Sequence, residues 1–152
     1  MRLTYLPLFA VVLSCGSDAT AASSPTPPPN YLGTYRGTEQ GSENGALFVG
    51  VITSFTVAAV SDTSFTGTWS AGSSAGTFTG AYIPAAPGYF TLALTQTAPC
   101  PGQSDRLDGW GYASIRATDH KVLGLDAYYG GPQCLGTPLP GTVFIRATLL
   151  LQ

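Results

Sequence analysis

Phe65-Thr66-Gly67-Thr68-Trp69 and Phe78-Thr79-Gly80-Ala81-Tyr82 repeat an aromatic-Thr-Gly-x-aromatic pattern thirteen residues apart, across the turn residues Ala71-Gly72-Ser73-Ser74. A period of two sets Phe65, Gly67 and Trp69 on one face and Ser64, Thr66 and Thr68 on the other, which is the mark of a half-buried antiparallel strand. Two such strands joined by Gly/Ser turn chemistry form a hairpin. The same alternation returns in Phe90, Leu92 and Leu94 against Thr91, Ala93 and Thr95.

Outward from this hairpin, the chain from Tyr31 onward divides into eight β-rich runs separated by Gly, Pro, Ser, Asn and Asp. They are expected at 31–38, 46–59, 64–70, 76–82, 88–96, 107–117, 121–129 and 141–151, and no segment keeps a helical period. Composition agrees. At 44% hydrophobic the chain is too apolar for disorder, and 19 Gly with 12 Pro in 152 residues punctuate it too often for helices. Short connections make sequence neighbours spatial neighbours, so eight consecutive strands predict an all-β, eight-stranded antiparallel up-and-down barrel, with a β-sandwich as the alternative.

In such a meander the connections after odd strands, 39–45, 71–75, 97–106 and 130–140, share the rim opposite the domain's N-terminus. Those after even strands, 60–63, 83–87 and 118–120, share the other. Cys100 and Cys134 fall on the same rim, and a Cys100–Cys134 disulfide is the natural pairing if the domain is exported. It would close about 34 residues and contribute about 3 to 4 kcal/mol by chain entropy. No Cys-x-x-Cys spacing points to redox chemistry.

The N-terminus supplies the export signal. Met1-Arg2 carries one positive charge, Leu3 to Leu13 is an apolar run too short to cross a bilayer, and the small Ser14 precedes Cys15. Val12-Leu13-Ser14-Cys15 resembles the lipobox of bacterial lipoproteins. The resemblance implies cleavage of residues 1–14, a diacylglycerol thioether on Cys15, an acylated new amino terminus and stable attachment to the lipid bilayer. Gly16 in place of Asp implies, in a Gram-negative cell, sorting to the outer membrane, on its periplasmic or surface face. Residues 15–30, with Pro25-Thr26-Pro27-Pro28-Pro29, read as a Ser/Pro-rich tether; fourteen residues in extended Pro-rich form span roughly 40 Å. Residues 31–152 form the single domain.

Gly33-Thr34-Tyr35 in the first strand and Arg146 in the last resemble the calycin group of avidin- and lipocalin-like barrels, which favour Gly-x-Trp at the first position. The resemblance is one of architecture and carries no ligand residues with it.

Chemistry narrows by elimination. Formal net charge is -2 with six scattered basic residues, so no electrostatic footprint for nucleic acid exists. His120 is the one histidine, too few ligands for zinc, and no Asp-x-Asp-x-Asp-Gly loop offers a calcium site; neither metal nor cofactor is implied. Gly72-Ser73-Ser74-Ala75-Gly76 matches the Gly-x-Ser-x-Gly elbow in letters, but joins two strands where the elbow needs a strand-to-helix turn, with His120 at the other rim. Glu39 with Glu43, and Asp105 with Asp108 around Arg106, read as solvated loop charges and not as a glycosidase pair. A non-catalytic role follows. Aromatic rings with a polar edge suit sugars and apolar ligands. The ligand candidates are Trp69, Trp110 and Asp126, with Asp126 expected to face the lumen beside an aromatic; Trp69 also reads as core. The competing roles are a protein-interaction or inhibitor module for an envelope protein, and a structural lipoprotein.

Overall fold

A computed structural model describes residues 27–43, 45–97, 106–133 and 141–152. Cys15 with its lipobox, and Cys100 and Cys134 of the expected disulfide, lie outside the described residues. The strands are β1 (Gly33–Glu43), β2 (Ala46–Val60), β3 (Ser64–Ala71), β4 (Ser74–Ile83), β5 (Ala86–Gln96), β6 (Arg106–Ile115), β7 (Val122–Gln133) and β8 (Gly141–Leu151). They lie side by side in chain order, all antiparallel, and β8 pairs with β1 to close the barrel. The eight-run meander is thus the observed fold, and the sandwich is not.

Alternation fills the lumen. Phe55, Phe65, Trp69, Phe78, Phe90, Leu94, Leu107 and Leu149 point inward and are buried, as expected for eight strands, whose interior is just wide enough for side chains. Small residues sit opposite large ones in register: Gly80 faces Phe65, Gly67 faces Phe78, Gly76 faces Trp69 and Gly111 faces Phe90. A Cβ on Gly80 would stand 2.2 Å from the Phe65 ring, so this ring lies directly on glycine backbone.

The rim nearest the N-terminus is plugged by the chain's own entry segment. Asn30 forms a parallel bridge with Lys121 and delivers Tyr31 into the lumen, where its ring stacks on Phe65 with centroids 4.2 Å apart. Tyr31 donates to the Pro87 carbonyl at 3.2 Å, and Tyr35 donates to the Tyr31 carbonyl at 2.8 Å. Burial raises both phenol pKa values, so both stay neutral donors.

The opposite, distal rim departs from the sequence reading. β1 continues to Glu43 instead of ending at 38, and β7 to Gln133 instead of 129, so the first connection shrinks to residues 44–45. Gly41-Ser42 and Gly130-Gly131-Pro132 read as turn signals, yet ladder pairing to β8 carries the strands through them. The rim is also uneven. β2 pairs with β1 along Ala46–Val57, but with β3 only from Thr53 onward. Ala46–Val51 therefore project past the β3–β4 turn, where the Gly72 amide donating to the Ile52 carbonyl at 3.2 Å is the last bond. Gly50, with φ of 76°, takes the extra position of a bulge: Val51 faces Glu39 and Val49 faces Gln40.

Outside, Thr34, Thr56, Thr68, Thr77 and Thr95 form one row across β1 to β5. No Asp, Glu, Lys or Arg occurs from Thr63 to Ser104, so the outer faces of β3, β4 and β5 are uncharged.

Candidate functional site

The aromatic residues that the lumen does not use gather on the outer face of β5 to β8. Register sets Trp110 beside Tyr128 and Tyr128 beside Arg146. The Trp110 and Tyr128 rings stack with centroids 4.5 Å apart, Tyr89 continues the stack at 6.1 Å from Trp110, and Tyr112 meets both edge-on. Arg146 holds its guanidinium carbon 5.4 Å from the Tyr128 centroid, a cation–π contact. The same guanidinium grips Asp126 through Nη2 to Oδ2 at 2.8 Å and Nε to Oδ1 at 3.1 Å. Thr148 donates a further bond to Asp126 at 3.3 Å. Arg146 foremost holds the Asp126 pKa below the usual carboxylate value, so the site presents a fixed ion pair against a wall of rings.

Of the residues singled out in the sequence, Trp110 and Asp126 share this patch and Trp69 does not. Asp126 faces outward beside Tyr128 and Arg146, and not into the lumen as expected. The reason is a register shift at Ser114/Ile115 near the start of β7, which makes Gly124, Leu125, Ala127 and Tyr129 the buried residues there. Trp69 is 4% exposed inside the barrel, and its Nε1 has no hydrogen-bond partner among the described residues. Arg146 lies outside and Tyr35 inside, so the two do not meet. Ser74, the central serine of the Gly-x-Ser-x-Gly match, opens β4 at the distal rim, while His120 lies in the β6–β7 connection at the opposite rim, so the two do not meet.

Next to the ring stack is a cavity of about 750 Å³, formed by the distal parts of β1, β2, β6, β7 and β8. Trp110, Tyr128 and Arg146 line it, with Gln40, Leu47, Val49, Phe144 and Tyr129. Its volume lies in the range of small-molecule sites, as does its mix of apolar walls with a few polar groups.

Glu39 was misplaced by the sequence reading. It is no solvated loop charge paired with Glu43 but an inward residue of β1, 5% exposed, accepting a bond from Tyr129 Oη at 2.5 Å. Thr53 also bonds to it. The period of two through Tyr35 and Gly37 carries the signal, had the strand been extended. Asp108, of the other carboxylate pair, is exposed and bound to Arg106 at 2.7 Å; Asp105 is outside the described residues.

Burial raises the Glu39 pKa, and the bonds from Tyr129 and Thr53 offset only part of that. The folded chain therefore holds this proton more tightly than the unfolded chain does. Its contribution to stability is complete below the ordinary glutamate range and is lost as pH rises through the raised folded value. Glu39→Gln keeps an acceptor for Tyr129 and removes the titration. Thermal unfolding of the Gln variant is expected to show a smaller fall in Tm than the parent as pH rises from that range toward neutrality; parallel curves would refute the assignment.

No protein-family model, curated protein or solved structure matches this chain.

Proposed function

We propose that the protein is a lipid-anchored envelope lipoprotein whose barrel is a non-catalytic binding module for a small apolar or carbohydrate ligand, held at the distal cavity. The observation that carries the ligand reading is the cavity of about 750 Å³ walled by Trp110, Tyr128 and Arg146. Ring faces and edges supply apolar contact for a sugar or hydrocarbon, while Arg146, Asp126 and Gln40 offer hydrogen bonds at the margin. The deep lumen, filled by its own side chains, takes no part.

Native mass spectrometry of the full chain, exported in its own host and released from detergent micelles, tests this. The expected spectrum carries an extra mass that denaturation removes and that Trp110→Ala abolishes. A bare mass for both chains would end the ligand reading. Anchoring has its own test: metabolic labelling with an alkyne fatty acid is expected to mark the parent and spare Cys15→Ala. Equal labelling of the two would refute acylation at Cys15.

A second reading, an interaction module for an envelope protein, draws on the exposure of Leu47, Val49 and Ile52 on β2 and Phe144 on β8, at 85, 76, 70 and 67%. Apolar residues clustered on an exposed surface mark contact sites for other molecules.

A further inference from the structure

A closed barrel has no edge strands, but this one keeps a short edge where β2 outgrows β3. From Ala46 to Val51 the backbone pairs with β1 on one side, and on the other faces no strand among the described residues. Such an edge templates a further strand, and proteins usually guard it with charge or proline. β2 has neither from Ala46 to Val60. Among the described residues its guard is the bulge at Gly50, which bends the strand and leaves Ala46–Val49 as the straight run. Leu47 and Val49 stand outward from that run, 85 and 76% exposed, with Phe144 two strands away at 67%.

We propose that two copies of the chain pair edge to edge, antiparallel, through Ala46–Val49. The charge pattern selects this occupant. A two-fold antiparallel pair sets a strand against itself, so every charge near the axis meets its like, which is destabilising. An edge evolved for an extended segment of another protein has no reason to avoid charge of both signs. One free of charge over its whole length suits self-pairing. Leu47 and Val49 from the two copies then form one apolar strip across the axis. A formal net charge of only -2 leaves little long-range repulsion between copies. The run is four residues long, so the pair is a concentration-dependent one. It stands apart from the ligand reading, although Leu47 and Val49 also line the distal cavity.

Cysteine crosslinking in the full-length, membrane-attached chain tests the pairing. Single substitutions Leu47→Cys and Val49→Cys are compared under mild oxidation with Thr79→Cys, an exposed position on the outer wall of β4, and with the parent. At least one β2 position is expected to give a disulfide-linked dimer on a non-reducing gel, while Thr79→Cys stays at the parent level. Adding Leu47→Lys to Val49→Cys brings like charges across the axis, and the dimer band is expected to fall to the parent level. Leu47 is exposed enough that Lys leaves the fold intact, which circular dichroism checks. No dimer above parent at either β2 position, or equal dimer at Thr79→Cys, overturns the proposal. A crosslinked band of any other mass also overturns it and assigns the edge to a different protein. Trp110→Ala is expected to leave the dimer unchanged, so loss of ligand binding and loss of pairing are told apart.

Discussion

Gly67→Ala is expected to remove a large part of the barrel's stability. A Cβ at Gly67 would lie 1.9 Å from the Thr56 carbonyl oxygen and 2.8 Å from its carbon, both on the neighbouring strand's backbone. Neither atom yields by a rotamer change. The strands must part at this point, and the ladder around Val57 and Gly67 is lost with them. Strain of this kind belongs with the largest single-residue effects, about 4 kcal/mol or more, against a total stability of about 5–15 kcal/mol for an ordinary domain. Gly88→Ala is the control, because its nearest atom is the Ala113 carbonyl oxygen at 3.4 Å, an ordinary contact. Urea unfolding followed by tryptophan fluorescence should show a midpoint near the parent's for the Gly88 variant and a far lower one for the Gly67 variant. Equal midpoints would mean that the close approach at Gly67 is not a constraint of the native barrel.

Phe65→Ala is expected to cost about 3–5 kcal/mol, the range for removing a buried aromatic side chain. The ring stacks on Tyr31 at 4.2 Å and meets Phe78 and Phe90 edge-on at 6.1 and 5.7 Å. It also covers Gly80, which has no side chain to move into the void. The cavity therefore stays open, and the entry-segment plug loses the surface it rests on. Phe65→Leu keeps part of that volume and should fall between Ala and the parent. The midpoint of urea unfolding orders the three chains; an Ala variant within 1 kcal/mol of the parent would show that the plug carries its weight elsewhere.

The strand number and closure were legible in the sequence because the information is local and repeated. Phe65, Gly67 and Trp69 announce their face by period alone, and turn residues separate one run from the next. Two kinds of position were not legible. Where ladder pairing overrides turn chemistry, as at Gly41-Ser42 and Gly130-Gly131, strand ends are decided by a partner far away in the chain, and Glu39 was consigned to solvent in consequence. Where a bulge changes the count, as before Gly124, every later residue changes face, and Asp126 moved from lumen to surface. The candidate site inherits both effects. Trp110 and Asp126 were chosen for their chemistry, but that Tyr128 and Arg146 join them becomes visible only once register places β6, β7 and β8 side by side.

The even strand count brings the two ends of the domain together. The Gln152 amide donates to the Thr34 carbonyl at 3.0 Å, so the end of β8 lies against the start of β1. The eight strands form a ring without a structurally privileged beginning. A short linker from Gln152 back to the Pro27–Asn30 segment would close the chain into a circle, and new ends cut at Gly72-Ser73 would give a circular permutant with the same neighbours. Such a permutant would carry its termini at the distal rim, reversing the end of the barrel from which any tether emerges.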